Sequence, residues 1–253
     1  MKRYFFGALL GLGAALSATP AHAQGVDEFG AYGGLENHGY IRSKQEVAVE
    51  LRFGPYHPNV DQGVAGSPYE TIFGNNTRWQ GGLEIDWQLY RIPKVLSLGP
   101  GFGFGYTHSS GTAPLSSGDG MSAQETTLGI LPMHLVAAFR LDYIAEKTPV
   151  PLCPYAKLGL GYALWWSSIG DHGTNYAGQD GRGASYGYVW ALGVLLRLDP
   201  LEPSAAANAD AALGINHAGL FLEWFNSSLN GFGSNAGMEV GTNTWVAGLG
   251  LEI

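Results

Sequence analysis

Residues 77–90 read TRWQGGLEIDWQLY and alternate strictly between two kinds of side chain. One face carries Trp79, Leu83 and Trp87, and the opposite face carries Glu84 and Asp86. A period of two residues is typical of a β-strand with two unlike faces. The run covers about 14 residues, whereas strands of soluble proteins centre on five or six. The stretch therefore predicts a membrane-spanning strand.

Trp79 and Trp87 lie on the apolar face of this stretch, eight residues apart. At a rise of about 3.3 Å per residue and a tilt of about 40°, they are separated by roughly 20 Å along the membrane normal. That distance is close to the height of the apolar band between the two aromatic girdles of an outer-membrane barrel. The spacing favours lipid on the tryptophan side and a polar lumen on the other.

The same alternation returns in seven further segments, which begin near residues 45, 96, 131, 152, 186, 218 and 245. Long polar loops are predicted at 57–76, 110–121, 167–184 and 227–241, and short turns at 91–95 and 144–148. Residues 199–214 can form one helix, capped by Ser204 and ended by Gly214. We predict an all-β fold: an eight-stranded antiparallel up-and-down transmembrane β-barrel with one short periplasmic helix between strands six and seven.

The first 23 residues are typical of a signal peptide, with Lys2 and Arg3 before a short apolar core and Ala21-His22-Ala23 at the cleavage site. Residues 24–44 are expected to form an N-terminal periplasmic arm, and residues 45–253 the barrel. No later apolar run approaches the 20 residues that a transmembrane helix needs. An exported chain of this kind is expected in the outer membrane of a Gram-negative bacterium as a porin-like barrel.

Composition excludes several classes of function. The 13 basic residues are outnumbered by 21 acidic ones, which argues against nucleic acid as a partner. We expect no cofactor and no metal, because the oxygens of Asp171, Asn175 and Asp180 do not follow the spacing of a calcium loop. Cys153 is the one cysteine, and we interpret it as a small buried hydrophobe.

Several stretches carry a resemblance to a known family. They are Leu51 to Tyr56 with Pro58 to Asp61, Gly214 to His217 leading to Glu223-Trp224, and the ending Val240 to Leu249. Together they resemble a family of small outer-membrane β-barrel proteins of myxobacteria and their relatives. The resemblance implies an outer-membrane barrel and assigns no activity. The chain ends on Ile253, where the barrel-assembly signal usually has an aromatic residue.

Ionisable residues on the predicted inward faces nearly balance, and an eight-stranded barrel is only just wide enough to be filled by side chains. We therefore interpret them as an ionic network that plugs the lumen. The network residues are Glu50, Arg52, Arg78, Glu84, Asp86, Arg140, Lys157, Arg197, Glu223 and Glu252. The predicted aromatic girdle consists of Trp79, Trp87, Tyr106, Tyr162, Trp166, Tyr188, Trp224 and Trp245.

The resulting hypothesis is an integral outer-membrane protein with a structural or surface-exposed role and no catalytic residues. Its expected partners are outer-membrane lipids and, in biogenesis, the secretion and barrel-assembly machinery, whereas an extracellular partner stays open. One alternative is a narrow channel gated by the charge pairs. The same inward faces carry glycines that could leave a recess for a small apolar ligand near Trp165, Val189 and Phe225.

Two further alternatives belong to other classes of protein. An enzyme would have to use His108, His134 or His217, but none stands at a spacing typical of a known catalytic site. A soluble lipocalin-like periplasmic binder would also use eight up-and-down strands, with its apolar face turned inward. Alternation alone does not decide which face is inside, so strand length, tryptophan spacing and loop asymmetry favour the membrane.

Overall fold

A computed structural model describes residues 46–253 except 63, 116–119, 171, 177–178 and 235–237. The predicted signal peptide, 1–23, and the predicted periplasmic arm, 24–44, lie outside the described residues. Within the described part of the chain, no helix is both long and apolar enough to cross a membrane.

Eight long strands form the wall of a closed barrel. Each strand pairs antiparallel with its neighbours in sequence, and β8 pairs with β1 to close the ring. The strands are β1 (Val47–Tyr56), β2 (Arg78–Trp87), β3 (Leu96–Pro114), β4 (Met121–Leu141), β5 (Leu152–Ile169), β6 (Arg182–Arg197), β7 (His217–Ser228) and β8 (Thr242–Glu252). Four short strands accompany them, at Tyr90–Ile92, His172–Gly173, Asn175–Tyr176 and Gln179–Asp180.

The alternation in the sequence becomes the two faces of this wall. In β1 the side chains of Glu50 and Arg52 are 2% and 8% exposed, whereas Leu51 and Phe53 are 53% and 55% exposed. Polar residues therefore face the lumen and apolar residues face outward, as predicted. The eight-stranded antiparallel barrel is confirmed.

Several strand ends differ from the prediction. Half of the expected loop 110–121 is strand, because β3 continues to Pro114 and β4 begins at Met121. Its Ser, Thr and Gly residues are typical of turns, but here they pair across a hairpin, with Thr112 opposite Glu125. β2 ends at Trp87, and pairing with β3 resumes only at Tyr90.

Among the described residues, three short helices lie in the connections. The predicted periplasmic helix is present as α3 (Pro203–Leu213), and Gly214 ends it in the left-handed conformation with φ 70°. Ser204 is not its cap, because Pro203 occupies the first turn and the helix starts after Glu202. Two helices were not predicted: α1 (Pro68–Phe73) in the first long loop and α2 (Tyr143–Lys147) in a periplasmic turn.

Gly248 of β8 allows a close approach that no other residue could share. A Cβ atom at this position would lie 1.8 Å from the backbone oxygen of Leu51 and 2.7 Å from the Phe221 ring. We expect Gly248→Ala to lower the free energy of unfolding by about 1–3 kcal/mol or more, because the paired strand cannot move aside. Urea unfolding of the refolded barrel in detergent micelles measures the change.

Gly81 of β2 provides the matched control, because a Cβ atom there would meet nothing within 4 Å. Gly81→Ala should stay within about 0.5 kcal/mol of the parent protein. An equal loss in both variants would contradict the close approach at Gly248.

Candidate functional site

The outer surface of the barrel is an apolar belt. Ten residues of β1 at about 3.3 Å rise and about 40° tilt span roughly 25 Å, the height of the apolar band of an outer-membrane barrel. Among the described outward-facing strand residues, only Glu125 and Arg182 are charged, and both lie near the loop ends of their strands. The protein is therefore an integral outer-membrane barrel, and the soluble lipocalin-like alternative is wrong, because its apolar face would point inward.

The predicted girdle residues all lie on this outer surface. Most lie toward the end with the long loops, which is the extracellular end in barrels of this type. There Phe53 and Trp79 stack with ring centroids 4.7 Å apart, and Trp224 meets Trp245 edge-on at 4.8 Å. Trp87 ends β2 at the opposite, periplasmic end. Aromatic residues at both ends match the amphipathic boundary of a bilayer.

Inside the barrel, Arg52 of β1 is the centre of a buried ionic layer. One guanidinium nitrogen lies 2.6 Å from Glu84 of β2 and 3.1 Å from Glu50 of its own strand. The other nitrogen donates to Glu223 of β7. One side chain thus joins carboxylates from three strands. Glycines opposite these groups give the long side chains their space, as at Gly193 beside Glu223.

Lys157 of β5 reaches the same carboxylates from the other side of the lumen. Its ammonium nitrogen is 2.6 Å from Glu50, 2.6 Å from Glu84 and 3.7 Å from Glu223. In a ring of eight strands β5 stands opposite β1, so the pair formed by Lys157 and Glu50 crosses the whole lumen. The Tyr155 hydroxyl donates to Glu223 at 2.9 Å and completes this layer.

A second ionic layer lies toward the periplasm. Arg140 of β4 donates to Glu252 of β8, again from opposite strands, and lies 3.2 Å from Glu50. Arg197 of β6 contacts Glu252 at 3.6 Å and Asp142, at the start of α2, at 2.7 Å. Glu50 and Arg140 link the two layers into one continuous network.

One residue of the predicted network lies elsewhere. Arg78 begins β2 at the extracellular end, where its guanidinium donates to the backbone oxygens of Phe73 at 2.9 Å and Ser110 at 3.3 Å. The structure adds His134, a catalytic candidate in the sequence, which lies 2.7 Å from Glu84. The inward position of His134 in the alternation of β4 is the sequence feature that could have assigned it to the network.

Above the ionic layers, residues of the extracellular loops fill the lumen with apolar side chains. Helix α1 contributes Tyr69 and Phe73, and the loop after β7 contributes Leu229 and Val240. They pack against strand residues Tyr56, Leu128, Ile130 and Ala163. The Tyr69 hydroxyl bonds to Ser109 at 2.9 Å, which fixes α1 against β3. The sequence pattern does not predict this layer, because loop residues have no periodicity that assigns them to a core.

At two inward glycines the wall is covered by other side chains, whereas a cavity of about 20 Å³ remains beside Gly54, Gly82 and Phe225. Built Cβ atoms at Gly103 and Gly161 would lie 2.2 Å from the His134 ring and 2.6 Å from Leu229. At Gly103 and Gly161 the bare backbone therefore receives the protein's own side chains.

The remaining histidine candidates lie far apart in the fold. His108 faces outward on β3 and is exposed. His217 begins β7 at the periplasmic end, with Nδ1 2.5 Å from Asp199. Burial alone would raise the pKa of Asp199, but the hydrogen bond and charge of His217, with the backbone N–H of Ala218, lower it below its usual range.

Asp199 and His217 connect the end of β6 to the start of β7. Since the folded protein lowers the pKa of Asp199, its stabilising effect is present above the pKa of the unfolded chain, about 3.9, and is lost as the pH falls through the folded value. We expect Asp199→Asn to cost about 1–3 kcal/mol at pH 7. The difference in the free energy of unfolding between the parent protein and Asp199→Asn should disappear below about pH 4 in acid unfolding curves. A gap that persists unchanged at pH 3 would contradict this account.

A comparison with protein-family models and one with curated proteins each found no match. Among solved structures, the chain is similar to Ail, the attachment invasion locus protein of Yersinia pestis, at 11% identity over 84% of this chain and 100% of Ail, with a TM-score of 0.42. The chain is also similar to the outer membrane protein OprG of Pseudomonas aeruginosa, at 15% identity over 84% of this chain and 97% of OprG, with a TM-score of 0.45. A third similar structure is the N-terminal β-barrel domain of OprF from Pseudomonas aeruginosa, at 13% identity over 83% of this chain and 100% of that domain, with a TM-score of 0.33. The membrane assignment accordingly rests on the barrel's own exterior.

Proposed function

We propose that this protein is a non-conducting, non-enzymatic outer-membrane barrel that acts as a structural, surface-exposed membrane protein. Its lumen is closed by two seals in series: the ionic layers toward the periplasm and the apolar loop layer toward the outside. The wall and its contents then serve as a rigid support for the extracellular ends of the strands and for the loops.

The observation that carries this proposal is the pairing of charges from opposite strands. Lys157 meets Glu50, and Arg140 meets Glu252, so each contact spans the diameter of the lumen. An ion passing this level would have to replace contacts between groups that are almost fully buried. Because removing one partner of a buried pair is costly, the closed arrangement is the stable one.

The apolar layer adds a barrier of a different kind. Leu128 and Ile130 are buried against Tyr69 and Phe73 at the extracellular mouth. A path lined by such side chains offers an ion no replacement for its hydration shell. Opening the ionic layers alone would therefore leave the mouth closed.

We also propose that the chain belongs to the myxobacterial family of small outer-membrane barrels, on the sequence motifs alone. In the structure these motifs fall in β1, at the entry to β7 and in β8, which are consecutive around the barrel. They therefore describe one side of the wall.

Planar lipid bilayers test the closed lumen. The purified protein should insert without steady conductance, because two seals close the path. The double variant Lys157→Ala with Tyr69→Ala removes one side chain from each seal and should give reproducible current steps. Each single variant should conduct little, because the other seal remains.

Steady, reproducible steps from the unaltered protein would contradict the proposal and favour the narrow channel. Uptake of a small apolar probe into the unaltered barrel, blocked by filling Gly161 through Gly161→Ala, would instead favour a ligand-binding lumen. Equal uptake by the unaltered protein and Gly161→Ala would show that the probe binds the detergent micelle and not the lumen.

A further inference from the structure

The charges buried in the lumen do not balance. Counting described residues, six carboxylates are buried there against four permanently basic groups. The carboxylates are Glu50, Glu84, Asp86, Asp142, Glu223 and Glu252, and the basic groups are Arg52, Arg140, Lys157 and Arg197. With a charged His134, 2.7 Å from Glu84, these fully buried residues still hold one more carboxylate than basic groups, and the partly buried Arg91 adds its positive charge near Asp142 and Glu252. An unbalanced charge in such a place is expensive.

Asp86 of β2 is the group at which the imbalance falls. The other five carboxylates each lie within 3.2 Å of a basic group, whereas Asp86 has Arg140 at 3.9 Å as its nearest one. Neither of its carboxylate oxygens has a hydrogen-bond partner among the described residues. The residue is nevertheless 3% exposed.

The surroundings of Asp86 leave room for a water molecule. A cavity of about 10 Å³, the space of one water molecule, lies beside it and is lined by Ser97, Arg140, Tyr155 and Lys157. The ladder between β2 and β3 stops at the pair Asp86 and Gly101 and resumes at Tyr90 and Leu98. This break, on the periplasmic side, is the nearest interruption of the wall.

The groups that face Asp86 come from every neighbouring strand. Glu50 of β1 and Glu84 of its own strand add negative charge, and Arg140 of β4 and Lys157 of β5 add positive charge. β3 presents the uncharged Ser97 and Gly101, and Tyr155 of β5 lines the same cavity. Each of the two basic groups is already shared by two or more closer carboxylates. Neither can neutralise Asp86 without giving up a shorter contact.

We propose that Asp86 is a proton-binding site of the lumen: folding of the barrel takes up one proton from the periplasmic side, and Asp86 holds it as a neutral carboxyl group. The O–H group then donates to the water that the neighbouring cavity can hold. The protonation of Asp86 does not depend on whether the lumen conducts ions, because it concerns only the charge of the ionic layer.

The pH dependence of folding tests this site. An unfolded aspartate is ionised above about pH 5, so a folded barrel that keeps one more proton must lose stability as the pH rises. From pH 5 to 7.5 we expect the folding equilibrium constant to fall by up to tenfold per pH unit relative to Asp86→Asn, which cannot ionise. Reversible urea unfolding in zwitterionic micelles gives both curves.

Glu84→Gln, two residues away on the same face of β2, is the matched comparison. It should lower stability at every pH, because Glu84 contacts Arg52, Lys157 and His134. It should also weaken the pH slope, because it removes a negative charge that faces Asp86. Parallel pH curves for the unaltered protein and Asp86→Asn would overturn the proposal. So would a slope that disappears when sodium replaces choline, since a bound cation would then supply the missing charge.

Infrared spectroscopy tests the site without relying on the folding of a variant. The unaltered barrel at pH 7 should show the carbonyl band of a protonated carboxyl group, and the band should be lost in Asp86→Asn. If the unaltered protein has no such band, Asp86 is ionised and the proposal fails.

Discussion

Arg52→Ala is expected to lower the free energy of unfolding by about 3–5 kcal/mol, the usual cost of removing one partner from a buried ionic network. The guanidinium contacts Glu50, Glu84 and Glu223, which would be left with Lys157 as their shared basic partner. Reversible urea unfolding of the refolded barrel in micelles measures the loss.

Arg78→Ala is the control of the same residue type. Arg78 also faces inward, but it donates to two backbone oxygens at the extracellular end and lies apart from the ionic layers. Its loss should cost about 1 kcal/mol. If Arg78→Ala destabilised the barrel as much as Arg52→Ala, the ionic layers would not be the stabilising element that we infer.

Tyr69→Ala is expected to cost about 3–5 kcal/mol as well, because it removes a large aromatic side chain from the apolar loop layer. Tyr69 is buried between Phe73 and His57, and its hydroxyl bonds to Ser109. The variant should also release α1, so limited proteolysis should cut the first extracellular loop faster than in the parent protein.

Two variants separate packing from other effects in this prediction. Tyr69→Phe removes only the hydroxyl and should cost about 1 kcal/mol. Tyr143→Ala removes a tyrosine that is 50% exposed in α2 and should change stability by about 0.5 kcal/mol. Similar losses in Tyr69→Ala and Tyr143→Ala would show that the loop layer does not pack in solution as it does here.

The sequence predicts the faces of the strands well because alternation is a local property. Leu51 and Arg52 are neighbours, and their opposite environments follow from the pleat of one strand. Depth along the barrel does not follow from alternation. Arg78 shares the inward face of β2 with Glu84, yet it lies at the mouth, because its position depends on where the loop folds back.

The alternation of the strands also does not predict which loop side chains enter the lumen. Tyr69 enters the lumen from helix α1, outside the strands, and only long-range packing brings it there. The missing partner of Asp86 is also invisible in sequence, since the count of inward charges nearly balances when Arg78 is included. In the structure Arg78 lies outside the ionic layers, so the buried carboxylates outnumber the basic groups.

The orientation of the two faces is the central claim, and gel migration with membrane extraction tests it most directly. Unboiled protein should migrate faster than boiled protein in detergent gels, and the membrane-bound protein should resist extraction by carbonate. Release by carbonate, together with identical migration before and after boiling, would contradict a barrel with charges inside and lipid outside.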